Sequence, residues 1–407
     1  MRVGIVGAGI AGTAAAWAAS RCGARIHLFD HGLGATSLSS GAVDDRPWEQ
    51  VARSIEVLGA AITAGELPPE LVAFLDELSV WEVPAAGAPL CRLATQAGRL
   101  RVARGRDHGV LDLSLLERGS LVVLPRAIRP EWDADALARM LGADSYARSE
   151  GLHFTAVDAE LLIRQGENRV GALDFAMRHD EPERRRWLVA RLREALARVD
   201  GEVAAVLVGP WLGATRSWAD EISTALELPI GEVLPTLGGA AGLRFEAARS
   251  DLLEALGVEV DRRRISRVDA EATVVTTEGE AVALDRVVVA IGGMPSGGVV
   301  FDPPERTAGS DYAEKGRHAF RLGLELENAE LVAAGHRLDV ASSMHGPNLD
   351  EVAWPTDADP GWLEAVGLDE KALDPPVFAA GDVIADHPRT LLQAAYLGLK
   401  AGYAACS

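Results

Sequence analysis

Three glycines at Gly7, Gly9 and Gly12, in the run Gly7-Ala8-Gly9-Ile10-Ala11-Gly12, have the spacing that lets backbone N–H groups face a phosphate. In such a turn the first glycine permits the sharp bend. The second lets a pyrophosphate approach the main chain, and the third lets helix pack on strand. Asp30 follows Gly12 by 18 residues, where a carboxylate can accept hydrogen bonds from ribose hydroxyls. A second acid, Asp382 after Gly381, closes the short apolar run Val377-Phe378-Ala379-Ala380. An acid at a strand end there can bind the hydroxyls of a ribityl chain, and the helix expected from about Thr390 and Leu391 presents its N-terminus to flavin oxygens. These residue types point to a dinucleotide held by backbone amides and two carboxylates.

Arginines supply the other chemistry. Arg92, Arg99 and Arg101 lie in a stretch of alternating apolar and polar residues that reads as two strands around an Ala97-Gly98 turn. Guanidinium groups match carboxylate and phosphate geometry, so this hairpin is a candidate substrate-anion site; the competing reading is a charged edge hairpin. His345, in a loop-like Ser342-Ser343-Met344-His345-Gly346-Pro347 stretch, is the candidate base for a substrate hydroxyl, against the reading of an exposed loop histidine. The run Arg184-Arg185-Arg186, flanked by acids, reads as a solvated helix face.

The elements that must position these groups follow from periodicity. Val3–Val6 and Arg25–Phe29 read as strands around an Ala-rich helix. Val287-Val288-Val289-Ala290-Ile291-Gly292-Gly293 reads as a doubly buried parallel strand with a glycine exit. Small residues from His31 through Ser39, Ser40, Gly41 and Ala42 let backbone lie against a cofactor ring. Ala290, Gly292, Gly293 and Ile265, in a short strand further on, complete the candidate cofactor contacts. Val51 to Leu78 reads as two helices, and about 50 to 235 as an inserted α+β region. The expectation is an α/β fold: a Rossmann-like FAD-binding domain assembled from 1–90, 236–300 and 375–407, with a substrate or cap domain from 91–235 and 301–374.

Composition narrows the partners. The 407 residues carry a net charge of −20, which repels nucleic acid and anionic membrane. Three cysteines, Cys22, Cys91 and Cys406, stand far apart without a C-x-x-C pair, which argues against a redox disulfide, a zinc site or an iron–sulfur cluster within the chain. Neither a signal peptide nor an apolar run of spanning length is evident. The expected location is the cytoplasm, or a membrane reached through partner subunits.

The glycine turn, Asp30, the valine strand and Phe378-Ala379-Ala380-Gly381-Asp382 together resemble the FAD-binding fold of glutathione-reductase-like flavoproteins. Three further stretches are similar to the B-subunit family of anaerobic glycerol-3-phosphate dehydrogenase: Ser39-Ser40-Gly41-Ala42-Val43-Asp44, the Cys91–Arg101 hairpin, and Leu234-Pro235-Thr236-Leu237-Gly238-Gly239-Ala240-Ala241-Gly242-Leu243-Arg244. The glycine-rich exit from Ala290 to Gly298 fits as well. That resemblance implies a flavoprotein working with a catalytic FAD subunit and an iron–sulfur subunit. The family's cofactor is FMN, whereas the ADP-binding set and Gly381-Asp382 of this chain point to FAD. Two function classes follow: a FAD-dependent dehydrogenase acting on a small hydroxy or amino substrate resembling glycerol 3-phosphate, or a flavin-bearing accessory subunit that relays electrons. An NAD-dependent dehydrogenase is the third reading, and the late Gly381-Asp382 argues against it.

Overall fold

The computed structural model describes residues 1–45, 63–163, 165–235, 238–302, 319–329, 331–333, 336–338, 366–370, 373–385 and 387–407. His345 and most of the first helix expected after Val51 lie outside them. The chain forms two compact units, Met1–Thr36 with Leu252–Ser407, and Ser37–Asp251. The described residues of 37–90 and 236–251, expected from the sequence in the nucleotide-binding domain, group instead with the second unit. The described residues between 319 and 368 group with the first.

The first unit is built on five parallel strands: β1 (Arg2–Val6), β2 (Arg25–Phe29), β3 (Glu259–Asp261), β4 (Arg286–Val289) and β5 (Val377–Ala379). Their order is β3-β2-β1-β4-β5, the doubly wound order of dinucleotide-binding sheets. Val3 pairs with Arg286 and Val6 with Val289, and β5 lies against the far side of β4. Val3, Ile5 and Val287–Val289 are wholly buried, which accounts for the unbroken valine run: helices cover both faces of such a sheet.

Helix α1 (Ile10–Arg21) follows β1, and α2 (Leu391–Ala404) ends the chain. Ala14, Ala15, Ala16, Ala18 and Ala19 of α1 are all fully buried, so the helix has no polar stripe and its small side chains set a close packing distance. A Cβ on Gly398 would stand 2.1 Å from the Ala11 carbonyl oxygen, and one on Gly402 2.5 Å from that of Ala15. The two helices thus meet backbone to backbone. Beside the sheet, Ile265–Val268, Thr273–Thr276 and Ala281–Ala283 pair antiparallel in turn, with Glu325–Leu326 added parallel to the first.

The second unit differs from the α+β expectation. It contains its own parallel sheet, in the order Ile230–Glu232, Val203–Val208, Leu121–Arg126, His153–Asp158. The His153–Asp158 strand has no fully buried position, so its sequence lacks the apolar run that would announce a parallel strand. Trp132, Phe175 and Trp211 meet edge to face in the core, with Phe175 and Trp211 centroids 5.5 Å apart. The arginine run is likewise not a solvated face. Of its three side chains on the Pro182–Leu196 helix, only Arg186 is exposed, while Arg184 and Arg185 are buried. Arg184 reaches both oxygens of the buried Glu167, at 2.7 and 3.2 Å. Arg185 bonds Glu221 at 2.7 Å and lies over the Trp218 ring. The partners that neutralise them come from elsewhere in the chain, which local charge counting does not register.

Candidate functional site

A cleft of about 300 Å³ opens at the carboxyl ends of the first unit's parallel strands, where doubly wound sheets bind their ligands. It is lined by Gly7–Ala11, by Asp30–Thr36, by Ala290–Gly292, and by Asp382 and Ala394. Arg263, Arg264 and Ile265 line it too, as do Ser296–Gly298, Gly323 and Leu324. The structure thus brings together in one cavity most of the cofactor contacts expected from three separated parts of the chain.

Each glycine of the turn has a distinct reason. Gly7 has φ +107, and a Cβ there would sit 2.3 Å from the Ala290 carbonyl oxygen. A Cβ on Gly12 would sit 1.8 Å from the Gly7 carbonyl oxygen, so α1 begins in direct contact with the turn. Above Gly9 only the Thr36 hydroxyl comes within 4 Å of a built Cβ, which leaves the approach that a pyrophosphate needs. The Ile10 N–H at the start of α1 donates to that hydroxyl at 3.3 Å. A weak, exchangeable partner thus stands where an anion would be bound by helix-end amides.

Asp30 is buried, and its N–H donates to the Asp261 carbonyl at 2.8 Å. Its Oδ2 accepts from Arg262 Nη1 at 2.7 Å, while Arg262 itself is 71% exposed. An ion pair with so exposed a cation is worth little and yields easily to a competing donor. Sequence reasoning missed Arg262, Arg263 and Arg264. The available signal was the short strand before them: once Glu259–Asp261 is the third strand beside β2, with Asp261 opposite Phe29, the arginines must emerge next to Asp30.

At the other end, Gly381 packs on Ala11, and Asp382 backs Gly293, whose built Cβ would lie 3.2 Å from that of Asp382. Burial raises the Asp382 carboxyl above the usual range, and the Arg389 charge opposes the rise. Arg389 Nη2 donates to the Val366 carbonyl at 2.8 Å. Thr390 caps α2, its hydroxyl accepting from the Gln393 N–H at 3.3 Å. Leu391 opens the same helix, and His31 lines the cleft beside Asp30.

The remaining candidates belong to the second unit. Ser39 accepts the Gly41 N–H at 3.2 Å, and the Asp107 N–H donates to the Gly41 carbonyl at 2.7 Å. Ala42 pairs with Arg106. Asp107 in turn bonds Arg244, which reaches Glu232 at 2.7 Å and the Gly213 carbonyl at 2.7 Å. This Asp107–Arg244–Glu232 triad is fully buried, and burial raises the Glu232 carboxyl while Arg244 opposes it. The hairpin arginines do not cluster. Leu93 faces Arg101 and Arg92 faces Val102, so the register sends Arg92 and Arg101 to opposite faces. Arg101 pairs with Asp44, Arg92 lies over the Tyr146 ring, and Arg99 is exposed at the turn. Among the described residues no group of His, Cys, Asp and Glu is arranged to hold a metal ion. No helix among them is long and apolar enough to cross a membrane.

Residues 5–78 match the family model of the NAD(P)-binding Rossmann-like domain. No curated protein matches the chain. Similar solved structures include iminodiacetate oxidase from Chelativorans sp. BNC1, 14% identical over 100% of this chain and 94% of that one, with a TM-score of 0.29. A putrescine oxidase variant redesigned in cofactor binding is 14% identical over 100% and 99%, with a TM-score of 0.30. Anhydrotetracycline hydroxylase from Streptomyces rimosus is 12% identical with a TM-score of 0.32, and the chain spans 62% of its length. At such identities and TM-scores these likenesses carry no argument about chemistry. The Rossmann-like fold rests on the sheet order, the turn and the family match.

Proposed function

We propose that the chain is a FAD-dependent oxidoreductase, a dehydrogenase acting on a small hydroxy or amino substrate. One observation carries the reading: Asp382 and Ala394, from the last strand exit and the last helix, line the same cleft as the glycine turn and Asp30. A nicotinamide dinucleotide held on one Rossmann unit gives no reason for the chain's end to return to that cleft. A longer cofactor with an ADP half and a polyol-linked half does. The donor set supports this reading: helix-end amides at Ile10, an acid suited to ribose at Asp30, and a second acid suited to ribityl hydroxyls at Asp382.

Bound flavin would accept the hydride equivalent from a substrate C–H bond. The chain's own work is then to hold phosphates on the α1 amides, anchor two sets of hydroxyls, and set the polarity of the cleft. A polyol phosphate such as glycerol 3-phosphate is the substrate suggested by the stretches similar to the B-subunit family of anaerobic glycerol-3-phosphate dehydrogenase. Anaerobic mixing of the flavin-loaded protein with a panel of polyol phosphates, hydroxy acids and amines tests the class. Bleaching of the flavin by one member supports it; bleaching by none, with dithionite still reducing the flavin, refutes it.

A specific observation favours a second reading. Apart from Asp30, His31, Arg263, Arg264 and Asp382, the described residues that line the cleft carry no ionisable side chain to act as a base. An accessory protein that passes electrons between a catalytic flavoprotein or iron–sulfur partner and its own flavin needs no such base. Turnover only on adding a co-purifying flavoprotein would select that reading.

A further inference from the structure

Cys22 and Cys406 stand at opposite ends of the sequence, yet the fold brings them together. Helices α1 and α2 run in parallel with a fixed offset: Gly398 packs on Ala11, Gly402 on Ala15, and Cys406 on Ala19. Cys22 is the C-cap of α1, and Cys406 lies in the turn that ends α2. Both converge on one carbonyl. The Cys22 N–H donates to the Ala19 oxygen at 3.2 Å, and the Cys406 thiol reaches that oxygen at 3.8 Å. Burial, and then the neighbouring Cys22, raise the Cys406 thiol. Cys22 is exposed and Cys406 half-buried, whereas Cys91 is sealed within a strand of the second unit. One solvent-facing cysteine beside a second, less exposed one is the arrangement of an attacking and a resolving cysteine.

We propose that Cys22 and Cys406 form a reversible dithiol/disulfide pair, oxidised by a small disulfide of the glutathione type, that fastens the end of the first helix to the end of the last. Cys22 as thiolate attacks one sulfur of the small disulfide; that S–S bond breaks, and the released thiolate takes up the proton that Cys22 lost. Cys406 then attacks the Cys22 sulfur of the mixed disulfide, and a second small thiol leaves with the Cys406 proton. Two protein thiols lose two electrons and two protons, and the small disulfide gains both. The order of attack follows from exposure. It is reinforced by the Cys406 thiol, which burial first, and then the neighbouring Cys22, push up to about 11.

The staple lies at the opposite end of α1 from the glycine turn, about 18 Å away at 1.5 Å per residue over 12 residues. It therefore leaves the cleft intact. What it restrains is separation of α2 from α1, and closing so long a loop lowers the entropy of the unfolded chain.

The test uses the reduced full-length protein. It is equilibrated in graded mixtures of oxidised and reduced glutathione, quenched in acid, alkylated after denaturation and mapped by peptide mass. The expected result is a Cys22–Cys406 linked peptide within one chain, Cys91 alkylated, and free thiols falling from the three of the sequence to one. The oxidised protein unfolds several degrees higher than the reduced one, dithiothreitol reverses the shift, and Cys22→Ser, at an exposed site, abolishes it. A glutathione adduct that persists on Cys22 with Cys406 alkylated would overturn the proposal. So would three free thiols in the most oxidising mixture, or a disulfide between two chains. Cys406→Ala provides the same control at the second position.

Discussion

Replacing Gly12 by alanine sets two effects of opposite sign against each other. In an unconstrained helix the change stabilises by about 1 kcal/mol, because alanine loses less backbone entropy. Here the new Cβ would lie 1.8 Å from the Gly7 carbonyl oxygen, against closest approaches of 3.0 Å, so α1 must retreat by about 1.2 Å. The atom it meets is backbone and cannot rotate away. Overpacking of this kind costs about 1–3 kcal/mol, so the clash wins or at least cancels the propensity gain. Function suffers more than stability. The retreat carries the Ile10 N–H and its neighbours off the phosphate position, and losing one charge-assisted hydrogen bond worth about 1.5–3 kcal/mol weakens binding about 10- to 100-fold. Titration of deflavinated wild type and Gly12→Ala with FAD, followed by flavin fluorescence, measures this, and circular dichroism checks the fold. Wild-type affinity in a folded variant, or a variant more stable by the full propensity gain, would refute the packing argument.

Three further outcomes follow from the geometry. Arg244→Leu leaves Asp107 and Glu232 as buried carboxylates without their cation, so chemical denaturation should show a loss of about 3–5 kcal/mol; an unchanged midpoint would mean the triad is neutralised some other way. His179 is buried against Phe175, and burial first, then Arg184, lowers its pKa to about 4 from 6.5. Because the unfolded chain then binds the proton more readily, stability should be fully present above pH 6.5 and fall by about 3 kcal/mol as pH drops to about 4. The wild type minus His179→Gln difference isolates that slope, and a flat difference would contradict it. Thr390→Ala removes the N-cap of α2 and should cost about 1 kcal/mol in thermal or chemical unfolding, with Thr390→Ser restoring it; equal stability of all three proteins would show the cap to be idle.

The nucleotide half of the molecule was legible because its determinants are local. Gly7, Gly9 and Gly12, the strand before them and Asp30 lie within one βαβ unit, and the valine strand and Gly381-Asp382 are read by the same rules. What escaped was set by distant partners. Nothing around Arg184 reveals that Glu167 will neutralise it, and nothing around Arg262 reveals Asp30 until the strand before it is placed next to β2. The parallel sheet of the second unit was hidden by the half-exposed His153–Asp158 strand. The hairpin around Gly98 was found, yet its register separates the arginines that its sequence gathers. The Cys22–Cys406 pair is the extreme case: the spacing argued against any disulfide, and only the packing of the first helix on the last brings the two thiols together.

The central claim is that the cleft holding Gly7–Ala11, Asp30 and Asp382 binds FAD. The most direct measurement is identification of the nucleotide released when the purified protein is denatured, repeated after refolding with an equimolar mixture of FAD, FMN and NAD. FAD in the supernatant at one per chain, reduced in both Gly12→Ala and Asp382→Ala, is the predicted result. Release of NAD or FMN in its place, or no uptake of FAD by the folded protein, would contradict it.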